Sequence, residues 1–190
     1  MNERYMPLLT WLEEHNSQLC SMCDEIFTHP ETGREEFFAQ SLLTGYLKDR
    51  GFSIELGVGG IPTSFRAVWE HGTGGPAIGL LCEYDALRDF GHGCGHHMQG
   101  PTIVSAAAAV KELWQGGPVK LVVYGTPDEE YGDGKVTMLR NGAFQDLDFA
   151  LMTHAGPNTT VDVKSLAMRS AYVRYHGRSA HAAIKPEDGR

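Results

Sequence analysis

Residues 76–85 read PAIGLLCEYD. The stretch opens on a proline, runs apolar without alternation through Cys82, and ends in two carboxylates, Glu83 and Asp85. A short unbroken apolar run of this kind fits a strand covered on both faces. Cys82 reads as a small core residue. Two later runs share the form: VKLVVYGT at 119–126 and LDFALMTH at 147–154. An alanine-rich helix over 102–114 and a second helix near 133–142 separate them. Strands alternating with helices imply an α/β domain built on a mostly parallel sheet.

Upstream, Leu8, Leu9, Trp11, Leu12, Leu19, Met22 and Ile26 space out an amphipathic helix over 5–27. THPETG breaks it through Pro30 and Gly33. A second helix over 34–50 carries Phe37, Phe38, Leu42, Leu43, Tyr46 and Leu47 on one stripe and stops at Gly51. Strands follow at 52–56 and 62–70, and HGTGG at 71–75 reads as a hairpin loop joining 62–70 to 76–82. Downstream, SLAMRSAYVRYHG at 165–177 reads as a long strand, and the sequence ends where a helix is expected to begin.

Open α/β sheets bind ligands at the carboxyl ends of their strands. Those ends are where the unusual residues fall: Glu83 and Asp85, then Asp128, Glu129 and Glu130, then His154. The loop FGHGCGHHMQG at 90–100 adds His92, Cys94, His96 and His97. In extended backbone Cys94 and His96 face the same way. Gly91, Gly93 and Gly95 let the chain bend to aim them. Each signal alone is weak. A lone His is usually a hydrogen-bonded loop residue, a D-E-E run is usually solvated, and an isolated C-x-H is common. Their coincidence at three successive strand ends changes the reading. Cysteine and histidine mixed with carboxylates suit zinc or manganese. A catalytic zinc needs only three protein ligands and an open position. Cys94, His96, Glu130 and His154 exceed that number, which leaves room for a second ion and for a neighbouring Glu as general base.

Composition narrows the classes. The 190 residues are 42% hydrophobic and 21% charged, a globular balance in one ordinary domain. A net charge of −8 with interspersed signs argues against nucleic acid. No run of about 18 apolar residues suggests a membrane span, and the first twenty residues lack a signal-peptide core, so a cytoplasmic location is expected. Cys20 and Cys23 form a C-x-x-C inside the first helix; without a second pair it reads as helix surface rather than a redox or zinc motif.

The series CEYDAL, GHGCGHH, GTPDEE, MTHAGP and GRSAHAA, in that order, resembles the aminoacylase and carboxypeptidase-type dinuclear metallopeptidases. The resemblance is to their amidohydrolase branch, with p-aminobenzoyl-glutamate hydrolase-like and indole-acetyl-amino-acid hydrolase-like members, and extends from HPETGREE at 29–36 to HAA at 181–183. It implies an aminopeptidase-like sheet flanked by helices over 1–166. The start of an α+β lid, or dimerisation, domain follows over 167–190, in a truncated chain. It implies two divalent metal ions, Zn or Mn, held by Cys94, His96, Glu130 and His154. It makes Glu129 the catalytic base, Asp85 the orienter of a metal ligand, and His181 the lid histidine that approaches the scissile carbonyl oxygen. Glu83 stands where the carboxypeptidase branch has a ligand histidine, and His97 where this branch often has Asp or Asn. The carboxylate of Asp128 is expected to push Glu129 upward in pKa.

The function implied is hydrolysis of the amide bond of an N-acyl or N-aroyl amino acid or a dipeptide by a metal-activated water. The expected partner is that small molecule, with no nucleic acid and no membrane, and with a homodimer in the full-length form. Two other readings remain open: a truncated, non-catalytic binding or assembly module of the same fold, and a structural zinc protein with a single closed site.

Overall fold

The computed structural model describes residues 5–161, 171 and 173–189. Its contacts divide the chain into Met1–Gly156 and Pro157–Arg190. The first unit runs α1 (Met6–Thr28), α2 (Phe37–Asp49), β1 (Ser53–Leu56), β2 (Phe65–His71), β3 (Ala77–Cys82), α3 (His96–Leu113), β4 (Val119–Gly125), α4 (Gly134–Arg140) and β5 (Phe149–Leu151). The strands form one sheet in the order β1-β2-β4-β3-β5. β3 runs parallel to β4 and β5, while β2 is antiparallel to both β1 and β4. Four strands therefore share one direction and β2 alone opposes them.

The period of two along β4 sorts its side chains between two cores. Leu121 and Val123 pack with Trp11, Met22 and Ile26 of α1, Leu43 and Leu47 of α2, and Val104, Ala107 and Ala108 of α3. Val122 and Tyr124 point to the other face, against Ile61, Met138 of α4 and Ala143. Full burial of each such Val or Leu contributes roughly 1.5–3 kcal/mol. The small residues of α3 let that helix lie close on the sheet. The first turn of α2 is capped from outside the helix. The Glu31 carboxylate accepts the N–H groups of Phe38 (2.9 Å) and Ala39 (3.0 Å), and its carbonyl accepts from Ala86 N–H (2.8 Å). The HPETG turn is thereby tied to the segment just after β3.

Three expectations need correction. HGTGG does not close a hairpin, because β4 lies between β2 and β3. The loop crosses beside the start of β4, with Gly75 so close to the Pro118 carbonyl that a side chain there would clash. β3 and β4 are equally apolar runs, and nothing in their composition says which lies inside the other. The third helix begins at His96, not near residue 102; Pro101 sits within it as a buried residue rather than opening it. A proline there removes only one intrahelical bond. The last strand of this unit spans three residues, all exposed at the sheet edge rather than covered on both faces as expected, and His154 lies beyond its end. The strand expected over 165–177 falls largely outside the described residues; Ala171 and residues 173–177 are not in a strand. In the second unit the described residues include a 3-10 turn at Pro186–Asp188.

Candidate metal centre

The loop after β3, the first residue of α3, the loop after β4 and the segment after β5 meet at one end of the sheet. Donor atoms of Cys94, His96 and His154 all lie within 4.8 Å of one another, and so do those of His96, Glu129 and Glu130. Cys94 and His96 are not aligned by extended backbone as expected. Gly95 separates them at φ +89°, in the left-handed region, and forms the N-cap of α3. That tight turn, accessible to glycine at little cost, swings the thiol and the imidazole toward one point. A Cβ at residue 95 would also sit 3.0 Å from Ala155 Cβ, beside His154.

Asp85 organises the group. Its Oδ1 accepts a hydrogen bond from His96 Nδ1 at 2.9 Å, and its Oδ2 accepts the backbone N–H groups of Glu129 and Glu130, each at 2.9 Å. Burial pushes the Asp85 carboxyl up, but the bonds from His96 and Glu130 outweigh it and hold the pKa below its ordinary value. One carboxylate thus fixes a ring from α3 and two acidic residues from the loop after β4. Such partners orient metal-binding histidines and fix their tautomer.

The tautomers matter. His96 Nδ1 donates to Asp85, and His154 Nδ1 donates to the Ala155 carbonyl at 2.7 Å. In the neutral rings both Nε2 atoms therefore carry lone pairs, yet they lie 3.3 Å apart. The Cys94 Sγ lies 3.6 Å from His154 Nε2. Glu83 Oε2 and Glu130 Oε1 are buried with no hydrogen-bond partner among the described residues. Converging lone pairs and orphaned carboxylate oxygens repel unless a positive charge sits among them. The donor set, soft and borderline ligands with carboxylates, fits a zinc-like or manganese-like divalent ion.

The electrostatics agree. Burial pulls the His96 pKa down, but the hydrogen bond and charge of Asp85, with Glu83 and Glu130, raise it overall. Burial, then the charges of Glu130, Glu129 and Glu83, pushes the Cys94 thiol up to about 11. Burial likewise raises Glu130. The His96 shift reports a negative field that favours a proton or a cation; Cys94 feels that field after burial, and Glu130 owes its shift first to burial. Glu129 is the most open of these acids, its side chain 41% exposed, with Oε2 4.0 Å from His96 Nε2.

Some candidates go elsewhere. His97 packs on Phe27 of α1 (ring centroids 5.0 Å) and on His92 (5.3 Å), and neither histidine joins the two donor groups. Burial, with His97 and His96 nearby, lowers His92 to about 4. Asp128, at φ +61°, bonds Arg34 Nε at 2.8 Å, and its N–H donates to the buried Glu36 at 2.8 Å. It braces the acidic loop rather than facing the donors. His181 lies in the second unit, where its Nδ1 accepts from Ala183 N–H at 3.2 Å. Sequence reasoning missed Gln99, Lys135, Glu31 and Glu36. Gln99 was within reach, since it lies three residues after His96 and so near the same helix face.

The sequence profile described as peptidase family M20/M25/M40 matches residues 79–187. The chain belongs to that family. It is 38% identical to one of the subunits of p-aminobenzoyl-glutamate hydrolase from Escherichia coli K12, an alignment taking in 100% of this chain and 43% of that protein. It is 34% identical to the human Xaa-Arg dipeptidase over 94% of this chain and 44% of the other. The chain thus spans less than half the length of these curated relatives. Among solved structures, a dinuclear metal-binding peptidase of family M20 from Bacillus subtilis superposes with a TM-score of 0.69 at 19% identity, covering 77% of this chain and 45% of that one. The aminobenzoyl-glutamate utilization protein of Klebsiella pneumoniae gives 0.66 at 20% identity, covering 80% and 46%. Both support the α/β fold described above.

Proposed function

We propose that this chain forms the metal-holding part of an amidohydrolase that cleaves the amide bond of an N-acyl or N-aroyl amino acid or a dipeptide. The observation that carries the reading is that donor atoms of Cys94, His96 and His154 converge, and that His96 is shared with a second group formed with Glu130 and the exposed Glu129. The named activities of the relatives, on p-aminobenzoyl-glutamate and Xaa-Arg dipeptides, support the substrate class.

In this reading Cys94, His96, Glu130 and His154 hold two divalent ions, zinc or manganese. Bound there, such ions supply Lewis acidity, which brings the pKa of water toward neutrality and polarises a carbonyl. Asp85 keeps His96 in the tautomer that presents Nε2, and holds the backbone of Glu129 and Glu130 in place. Glu129, open to solvent, takes the proton from the attacking water and hands it to the leaving amine nitrogen. The products are a carboxylate and an amine. His181 is assigned to the developing oxyanion of the scissile carbonyl. The segment 167–190 is read as the start of a lid domain through which the whole protein dimerises. The four free cysteines suit a reducing, cytoplasmic setting.

The test is metal content and turnover together. After reconstitution with zinc or manganese, mass spectrometry should find about two ions per chain. Amine release should be assayed on a panel of N-acetyl and p-aminobenzoyl amino acids and dipeptides, in the full-length protein. Glu129→Gln should keep its metal and lose at least about 100-fold in turnover. An active Glu129→Gln protein removes the base. A chain that takes up no metal favours the assembly-module reading.

A further inference from the structure

Glu83 follows the last residue of β3 and is buried to 1% exposure. A buried carboxylate costs several kcal/mol unless it is fully compensated. Only one of its oxygens is: Oε1 pairs with the Lys135 ammonium of α4. Among the described residues Oε2 has no hydrogen-bond partner. It lies 3.4 Å from His96 Nε2 and 3.8 Å from His154 Nε2, the two ring atoms whose lone pairs already face each other.

Glu83 cannot easily turn away. Its backbone N–H donates to Gln99 Oε1 at 3.0 Å, and Gln99 Nε2 donates to the Thr153 carbonyl at 2.5 Å. A single buried amide of α3 therefore ties the tips of β3 and β5 together, with Glu83 on one and His154 on the other. Lys135 orients the carboxylate through its far oxygen and leaves the near one aimed at the rings. An ion pair built only for stability would gain by offering both oxygens to hydrogen-bond donors; this one leaves the inner oxygen without one.

We propose that Glu83 is a further metal donor of the centre, contributing Oε2 beside His96 and His154 while Lys135 holds its other oxygen as a fixed counter-ion. The proposal rests on the metal reading of the site. Lys135 and the metal then share one carboxylate, so removing either partner leaves the charge to the other.

The experiment is a zinc titration of the full 190-residue chain followed by thermal unfolding, in wild type, Glu83→Gln and Lys135→Met, with cobalt(II) absorption as a second readout. Glu83→Gln should weaken zinc at least about tenfold and shift the visible d–d bands of the cobalt-saturated protein. Lys135→Met, which leaves the metal as the only counter-charge, should melt lower without metal and gain a larger zinc-induced rise in Tm than wild type. If both variants only melt lower, with zinc affinity and zinc-induced Tm rise as in wild type, the pair is structural and the proposal fails. If Glu83→Gln weakens zinc but leaves the cobalt spectrum unchanged, Glu83 acts through its field and is not a donor. A wild-type chain that binds no zinc or cobalt overturns the metal centre itself, and with it this proposal. The two failures are thereby told apart.

Discussion

Asp85 and His96 are joined at 2.9 Å between Oδ1 and Nδ1, and the other oxygen of the same carboxylate carries the N–H groups of two successive glutamates. The strand tip of β3 thus sets both the ring that offers Nε2 and the loop that offers Glu129 and Glu130. Asp85→Asn can still accept from the ring, but its amide nitrogen cannot accept from Glu129 or Glu130. Zinc affinity should drop about 10- to 100-fold, read by isothermal titration. Unchanged affinity would mean that the acidic loop is held in place by Arg34 and Glu36 alone.

Gln99 is the second device that holds strand tips together. Gln99→Leu keeps the volume and leaves the Glu83 N–H and the Thr153 carbonyl without partners. Leaving such buried groups unpaired should cost about 1–3 kcal/mol, measured by urea unfolding of the metal-free chain. Because His154 follows Thr153, zinc affinity should fall as well. A loss of stability with unaltered zinc binding would confine the amide to a packing role.

Gly95 is the hinge of the C-x-H pair. Its φ of +89° is costly for an L side chain, about 1–2 kcal/mol, and the added methyl would crowd Ala155. Gly95→Ala should therefore lower Tm and also separate Cys94 from His154. In the cobalt-loaded protein the thiolate-to-metal absorption band should weaken. A Tm drop with the band intact would show that the turn can relax without moving the thiol.

How much of this was legible beforehand depends on the range of each interaction. The apolar runs that became β3, β4 and β5 announce themselves locally, and so do the metal-type residues after them, because a parallel α/β sheet collects its strand ends on one edge. The order of strands was hidden: β2 pairs with β4 across some fifty residues, and no local pattern records that. α3 opens six residues ahead of the expected start and carries Pro101 inside it, which nothing in the glycine-rich run before it signals. His97 carries the right chemistry for a ligand and is turned toward Phe27 instead. Gln99, Lys135 and Glu36 are ordinary residues in sequence. They acquire roles only through partners 16, 52 and 92 positions away.

The same negative field acts on a proton and on a metal with opposite pH dependence. Burial opposes charge on His96, but Asp85, Glu83 and Glu130 prevail and raise its pKa above the ordinary 6.5. In the metal-free protein a raised folded-state value contributes stability that is fully present below 6.5 and is lost as pH rises through the raised value. Zinc needs the neutral ring, so its affinity should fall as pH drops through that same value. Thermal unfolding with chelator should therefore show the advantage of wild type over His96→Asn shrinking as pH rises across this window. The zinc-induced rise in Tm of wild type should grow over the same range. A metal-free advantage that grows with pH would mean that burial, not the surrounding carboxylates, controls the ring, and the field that draws the metal in would have to come from elsewhere.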